Sequence, residues 1–301
     1  MKRILITGIH SYVGNNIAHY LQEYNVQNCK EFYKVDFISL REEKWEQCDF
    51  SVYDTVFHVA GIAHVDTGKL PEEQKKKYYD INRDLPYKVA KKAKEQGVKQ
   101  FIFMSSAIVY GGVQAGTELF ITESTPINPE NVYGDSKVQA EKLLNTLQSK
   151  RFQVAFVRSP MIYGKNCKGN FALLEKIAKY SPVFFNISNL RSALYIENLA
   201  EFIRLLIDSQ NGGVYLPQNA EYLVTSQVVK EIGRAKGKKI IFIRIADPVV
   251  KMLGRMPGRI GQMVNKAFGS LVIDQDLSRR SIDGYQLFSL EESIQQIEKG
   301  K

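Results

Sequence analysis

Cysteine is scarce in this chain. The 301 residues hold three, Cys29, Cys48 and Cys167. They are odd in number, far apart and without a CxxC pair, so neither a disulfide framework nor a CxxC-based zinc site underlies the fold. The four histidines are scattered, and no metal is expected. Long apolar runs are missing as well. Behind Met1-Lys2-Arg3 the first apolar stretch is only Ile4-Leu5-Ile6, against ~7–15 residues for a signal peptide and ~20 for a spanning helix. The expectation is a soluble, cytoplasmic protein with no integral membrane contact. Acids are the minority charge, 32 against 41 lysines and arginines, for a net +9. Ten basic and five acidic residues lie between Lys69 and Lys99. They alternate with apolar positions at helical spacing, which reads as a solvated helix face. The surplus suits a small anionic substrate, and no nucleic-acid partner is expected.

What is present is ordinary globular composition, 44% hydrophobic and 24% charged, long enough for one large α/β unit or two lobes. Short apolar runs alternate with amphipathic stretches. Ile4-Leu5-Ile6 before Thr7-Gly8, the β-rich 32–40, Thr55 to Gly61, Gln100 to Ser106 and Val154 to Arg158 read as strands. Asn15 to Tyr24, Tyr78 to Gln96 and Val132 to Thr146 read as helices, with Pro86 bending the second or marking a late start. This alternation implies a parallel sheet covered on both faces, with ligands bound beyond the strand C-termini. After about residue 165 the pattern loosens into a smaller, more helical lobe. The division expected is therefore 1–165 and 166–301, interleaved and without a clear linker. Val249 to Phe268 combines apolar residues with Lys251, Arg255, Arg259 and Lys266. It reads first as a lobe helix interrupted at Pro257-Gly258, and second as a membrane or partner contact.

Three constellations carry chemistry. Thr7-Gly8-Ile9-His10-Ser11-Tyr12-Val13-Gly14 comes after a strand and opens a helix, where glycines let the backbone approach a pyrophosphate. The usual middle glycine is Ser11 here. Tyr133 and Lys137, four apart, share a helix face. Lowering a phenol from its usual value near 10 to about 7 takes roughly 4 kcal/mol, which the ammonium and a positively charged nicotinamide ring are expected to supply. Ser106 stands 27 residues upstream of Tyr133, at a strand end. Hydroxyl, phenol and amine in one crevice make an apparatus for moving a proton on and off a sugar or alcohol oxygen. His58 and His64 flank the crevice strand as packing or hydrogen-bonding residues.

With these marks the chain resembles the extended short-chain dehydrogenases/reductases that act on nucleotide sugars, the NAD-dependent epimerase/dehydratase group. Further marks are His58-Val59-Ala60-Gly61, Asn82, Ser105-Ser106-Ala107, Arg158-Ser159-Pro160, Asn189-Leu190-Arg191 and the terminal Gly284-Tyr285. The resemblance implies a Rossmann-type doubly wound parallel sheet with a smaller mixed C-terminal substrate lobe. It implies Tyr133 as acid/base, Lys137 as its partner and ribose ligand, and Ser106 on the sugar oxygen. Gly8, Ser11, Tyr12, Val13 and Gly14 would cradle the pyrophosphate and Asp49 would touch adenine, with Ala60, Gly61 and Asn82 also on the cofactor. Arg191 would bind the diphosphate of a UDP-linked sugar and Asn170 the nucleotide. A homodimer is compatible with all of this.

The two residues after Ser106 narrow the reaction. A 4,6-dehydratase of this group carries an acid pair there, and a double epimerase–reductase a cysteine; this chain has Ala107 and Ile108. A 4-ketoreductase and a 4-epimerase remain. An NAD site normally has an acid at the end of the second strand, whereas an NADP site has an arginine nearby. Here the strand Tyr33–Ile38 leads into Ser39-Leu40-Arg41. That favours NADP(H), and with it reduction of a UDP-4-keto-6-deoxy-N-acetylhexosamine for surface polysaccharide. The alternative has Asp36 ending the strand, Arg41 in a solvated loop and NAD held tightly by a UDP-glucose 4-epimerase. A non-catalytic dinucleotide sensor is a third reading, opposed by retention of both Tyr133 and Lys137.

Overall fold

Apolar strands of three to seven residues cannot stand alone in water, and this chain pairs them into a parallel sheet between helices. The computed structural model describes residues 1–62, 70–186, 188–244, 247–256, 258, 261, 264–265, 268–279 and 282–299. His64, Pro257, Arg259 and Lys266 lie outside the described residues. In chain order the elements are β1 (Lys2–Thr7), α1 (Tyr12–Gln27), β2 (Tyr33–Ile38), β3 (Thr55–His58), α2 (Glu72–Tyr79), α3 (Leu85–Glu95) and β4 (Gln100–Ser106). Then come β5 (Glu118–Ile121), α4 (Val132–Asn145), β6 (Gln153–Ser159), β7 (Met161–Tyr163), α5 (Asn170–Tyr180), β8 (Val183–Asn186) and β9 (Ala193–Tyr195). They are succeeded by α6 (Ile196–Ser209), β10 (Gly213–Tyr215), α7 (Thr225–Ala235), β11 (Ile241–Arg244), α8 (Asp247–Gly254) and β12 (Ser270–Ile273). Helices at Gln275–Arg279 and Leu290–Lys299 complete the described elements.

The chain forms two compact units. The first holds 1–111, 126–159 and 199–217, the second 112–125, 160–198 and 218–301. A single cut at 165 does not describe this division. Residues 199–217 return to the first unit because β10 pairs with β6, and 112–125 join the second because β5 pairs with β12.

In the first unit six strands form one sheet in the order β10-β6-β4-β3-β1-β2, every neighbour parallel. Strand order reverses between β1 and β3, and ligands of such sheets bind at that switch, beyond the strand C-termini. One face is a buried cluster of Leu5, Val56, Phe101 and Phe103 against Val89 and Ala93 of α3 and Ala140 and Leu144 of α4. Trp45, the single tryptophan, packs into this cluster from a 3₁₀ turn at Glu43–Gln47. The turn takes the chain from β2 to β3 without another described strand, so β2 is the sheet's edge. The one helix expected from Tyr78 to Gln96 is instead α2, a π turn at Asp80–Asp84, and α3 with Pro86 in its first turn. Proline is accommodated there because first-turn amides have no intrahelical acceptor.

The second unit has three two-stranded parallel ribbons, β7–β9, β5–β12 and β8–β11, and buries Phe171, Tyr195, Tyr285 and Ile294. Buried polar side chains are paired: Asn219 Nδ2 donates to Tyr163 Oη at 2.8 Å, and Gln218 Nε2 donates to the Ile273 carbonyl at 2.9 Å. No helix among the described residues is long and apolar enough to cross a membrane.

Gly14 sets how closely α1 approaches the sheet. A Cβ there would lie 2.9 Å from Ile6 Cγ2 and 3.1 Å from Val59 Cγ2, both on buried or crowded backbone segments that cannot swing away. Gly14→Ala is therefore expected to cost about 1–3 kcal/mol through overpacking, read as a lower urea midpoint at unchanged m-value.

Candidate active site

Three strand ends of the first unit, those of β1, β3 and β4, assemble the candidate site with the π turn and α4. Gly8 comes directly after β1 with φ +92°, a conformation that side-chain-bearing residues rarely adopt. A Cβ on it would stand 3.3 Å from Ala60 Cα. The turns after β1 and β3 thus touch at the switch point. Ser11, in place of the middle glycine, caps α1: its Oγ accepts the Gly14 N–H at 3.2 Å. Tyr12 and Val13 begin the helix whose positive N-terminal end faces this turn.

The rim continues through Gly61. A Cβ there would meet Asn82 Oδ1 at 3.0 Å and Lys137 Nζ at 3.7 Å. Asn82 lies in the π turn, fully buried. It accepts from the Ile62 N–H and donates to the Ile62 carbonyl, both at 2.9 Å, and it donates to Ser136 Oγ at 3.2 Å. The bulged turn so aims an asparagine at α4, beside the face that carries Tyr133 and Lys137.

On α4, Asn131 supplies the N-cap by accepting the Gly134 N–H at 2.8 Å. Lys137 Nζ donates to the Met104 carbonyl at 2.8 Å and sits 4.4 Å over the Phe103 ring. Ser106 closes β4 and hydrogen-bonds to Tyr133. The structure therefore brings Ser106, Tyr133 and Lys137 together with Gly8, Ala60, Gly61 and Asn82 at one end of one sheet.

The protein's own groups shift the phenol and the amine in opposite directions. Burial pushes the Tyr133 phenol up to about 12, only partly opposed by the Ser106 hydrogen bond. Burial also lowers Lys137 to about 8, against an upward pull from Glu141. Lys137 is not among the groups that shift the phenol; its ammonium donates to the Met104 carbonyl and lies over the Phe103 ring. The phenol is held neutral, as a proton donor requires.

The remaining expected residues are not part of this cluster. β2 runs to Ile38, and Asp36 lies inside it with its carboxylate 3.7 Å from Arg3. The strand end is then Ser39-Leu40-Arg41, where the Arg41 N–H donates to Ser39 Oγ at 3.4 Å and Arg41 is exposed. Asp49 is exposed, and its carboxylate accepts the Ser51 N–H at 2.8 Å. His58 is buried between Phe101 and Phe103, bonded to Thr7 Oγ1 at 3.1 Å and lowered by burial to about 3, so it is a neutral packing residue. In the second unit, Asn170 is the first residue of α5. Arg191 is tied by its backbone to Leu223 at 2.9 and 2.8 Å, and burial lowers its guanidinium. Among the described residues no group of three or more His, Cys, Asp and Glu is placed to hold a metal ion.

Sequence reasoning missed a buried network behind the site. Glu141, one turn after Lys137, pairs with Arg158 of β6 at 2.6 Å; Arg158 also donates to Tyr110 Oη at 2.7 Å, and Ser105 Oγ donates to Glu141 at 2.5 Å. The spacing Tyr133, Lys137, Glu141 was a visible i, i+4, i+8 series. Nothing in it showed which strand residue would answer the glutamate.

Lys137 has a consequence for stability. Its folded-state value lies below the ordinary 10.5, so its buried charge opposes folding below about pH 8, and stability is regained as pH rises through that window. Lys137→Met is expected to raise unfolding free energy at pH 7 by up to about 3 kcal/mol, with the difference shrinking toward pH 10. Urea titrations at the two pH values check this.

Comparison with known proteins places this geometry. Residues 4–216 match the NAD dependent epimerase/dehydratase family. A UDP-glucose 4-epimerase from Vibrio cholerae is 30% identical over 98% of this chain and 94% of its own length. An N-acetyl-alpha-D-glucosaminyl-diphospho-ditrans,octacis-undecaprenol 4-epimerase from Escherichia coli O157:H7 is 27% identical over 88% of this chain and 81% of its own. Among solved structures, UDP-N-acetylglucosamine 4-epimerase from Bacillus cereus superposes with a TM-score of 0.76 at 16% identity, covering 99% of both chains. The dTDP-4-dehydrorhamnose reductase of Bacillus anthracis, in complex with NADP, does so at 0.70 and 20%, covering 100% of both. At those identities the structures speak for the fold alone. The sheet order, the glycine turn at its switch point and the match over 4–216 make this chain a member of the NAD dependent epimerase/dehydratase family, whose enzymes act on sugar nucleotides with NAD(P).

Proposed function

We propose that the chain is an NADP(H)-dependent reductase acting at C4 of a UDP-linked 4-keto-6-deoxy-N-acetylhexosamine. The observation that carries this is the end of β2. An acid that accepts from a ribose 2′-hydroxyl has to stand where the strand ends. Asp36 instead lies two residues inside it and is paired to Arg3, while the end itself presents Ser39 and exposed Arg41. A serine can bond a 2′-phosphate without repelling it, and the guanidinium adds paired charge. The cofactor fits the residues present: Gly8 and Gly61 keep clear the space that a Cβ would take beside Ala60, Asn82 and Lys137.

NADPH, when bound, supplies the hydride. The protein's part is the proton. Tyr133, kept protonated by burial, gives its phenolic hydrogen to the C4 oxygen as the carbonyl becomes an alcohol. Ser106 hydrogen-bonds Tyr133 and holds the same oxygen in line. Lys137 is assigned the ribose, and solvent returns the proton to Tyr133. Ala107 and Ile108 offer no acid or base for eliminating a C6 hydroxyl, which disfavours dehydration. Glycine-turn residues Gly8, Ser11, Tyr12, Val13 and Gly14 are assigned the pyrophosphate, Asp49 adenine, Arg191 the substrate diphosphate and Asn170 its nucleotide.

A second reading has its own support. The Vibrio cholerae relative, aligned over nearly the whole chain, is a UDP-glucose 4-epimerase, and the same three side chains would serve a 4-epimerase holding NAD. Cofactor analysis separates the two. The reductase is expected to purify without stoichiometric dinucleotide and to bind NADPH more tightly than NADH, with Arg41→Ala cutting that preference about tenfold. Stoichiometric NAD in the purified protein, with interconversion of UDP-glucose and its C4 epimer, overturns the reductase and establishes the epimerase.

Under either reading Tyr133→Phe is expected to lower kcat by at least about 10²-fold, the low end for losing a positioned acid/base, while dinucleotide binding persists. Single-turnover kinetics at saturating substrate, with fluorescence titration of NADPH, check both halves.

A further inference from the structure

Residues 234–268 hold nine lysines and arginines and one acid, Asp247, a net +8 out of +9 for the entire chain. Within this stretch the second unit exposes apolar side chains where a solvated element would carry polar ones. The ribbon β8–β11 pairs Val183 with Ile241 and Phe185 with Ile243. Side chains alternate along a strand, so these four share one face. Three of them stand open: Ile241 is 61%, Ile243 49% and Phe185 45% exposed. The opposite face carries Phe184 and Phe242, packed edge to face at 6.3 Å and half-buried. In α8, Val250 is buried, whereas Val249, Met252 and, just beyond the helix, Met256 are exposed at spacings of three and four. Basic residues rim the ribbon. Lys179, Lys238 and Lys239 stand exposed at its start and Arg244 at its end, and Arg255 lies exposed beyond α8. Arg234 and Lys236 are paired to Glu231 and Glu298; no described acid pairs with Lys239, Arg244 or Arg255.

We propose that the second unit carries an interfacial docking surface, made of the outer face of the β8–β11 ribbon and the exposed side of α8, that seats the protein on an anionic lipid bilayer without crossing it. Charge complementarity selects the occupant. A second copy would bring one strongly basic surface against another. Single-stranded nucleic acid asks for rows of exposed rings on which bases stack, and of the four side chains on the ribbon face only Phe185 offers one. Aliphatic side chains that enter the headgroup region, with lysines and arginines reaching to lipid phosphates around them, match what is exposed here. The inference concerns location and is independent of which reaction the first unit performs.

Sedimentation of the full chain with vesicles tests it. Binding is expected to vesicles of mixed phosphatidylglycerol and phosphatidylcholine, at least tenfold weaker to phosphatidylcholine alone, and weakened again at about 1 M salt, where screening shortens to roughly 3 Å. Lys238→Glu with Lys239→Glu, and separately Ile241→Ser with Ile243→Ser, are each expected to lower partitioning tenfold or more. Thermal midpoint and far-ultraviolet circular dichroism serve as folding controls. Lys76→Glu with Lys77→Glu, on exposed α2 of the first unit, is expected to leave vesicle binding unchanged. The proposal fails if the wild-type chain does not sediment, if the α2 variant abolishes binding while the ribbon variants keep it, or if Ile241→Ser with Ile243→Ser instead abolishes a concentration-dependent dimer seen by analytical ultracentrifugation.

Discussion

Glu141 and Arg158 meet inside the first unit with two carboxylate oxygens against one guanidinium, and the placement of α4 depends on that pair. Burying two charges costs several kcal/mol each before any attraction is counted. Here that cost is offset by saturating the groups: Arg158 reaches Tyr110 as well, and Ser105 donates to the remaining Glu141 lone pair. The geometry this imposes is specific. Arg158 stands opposite Ser105 in the β4–β6 register, so the pair clamps α4 over the C-terminal ends of those two strands. Lys137 is one turn before Glu141 and Tyr133 one turn before that. Both are aimed by the same clamp.

The clamp also explains the division of labour between phenol and amine. A carboxylate one helical turn away holds up the charged form of Lys137 in a site whose burial works against it. Tyr133 has no such cation among the groups that shift it; burial and Tyr78 raise it, and Ser106 alone resists. Protonated phenol and ammonium therefore coexist at neutral pH.

At the other end of the crevice the controlling constraint is brevity. The chain passes from β2 to β3 through one 3₁₀ turn anchored by Trp45, and β2 is left on the sheet edge. Asp36 is then drawn into an edge-strand ion pair with Arg3 of β1. After Ile38 the chain presents Ser39 and Leu40, both half-buried with Leu40 packed against the core, and then exposed Arg41.

Local patterns were enough to read five of the six sheet strands, the glycine turn, the strand ending at Ser106 and the helix bearing Tyr133 and Lys137, since these arise from spacing along one element. The sequence also carried the family. It did not carry pairings that join distant segments. Glu141 with Arg158, Gly61 with Asn82, and the return of 199–217 beside β6 have no mark in local composition. The π turn that aims Asn82 arises where α2 and α3 must both pack while Pro86 begins a new helix, a conflict that periodicity alone cannot show. The direction of the Tyr133 shift belongs to the same class. Residue types name the groups that could act on the phenol, but desolvation depends on what surrounds the ring in three dimensions, and the burial of Tyr133 is a product of the fold.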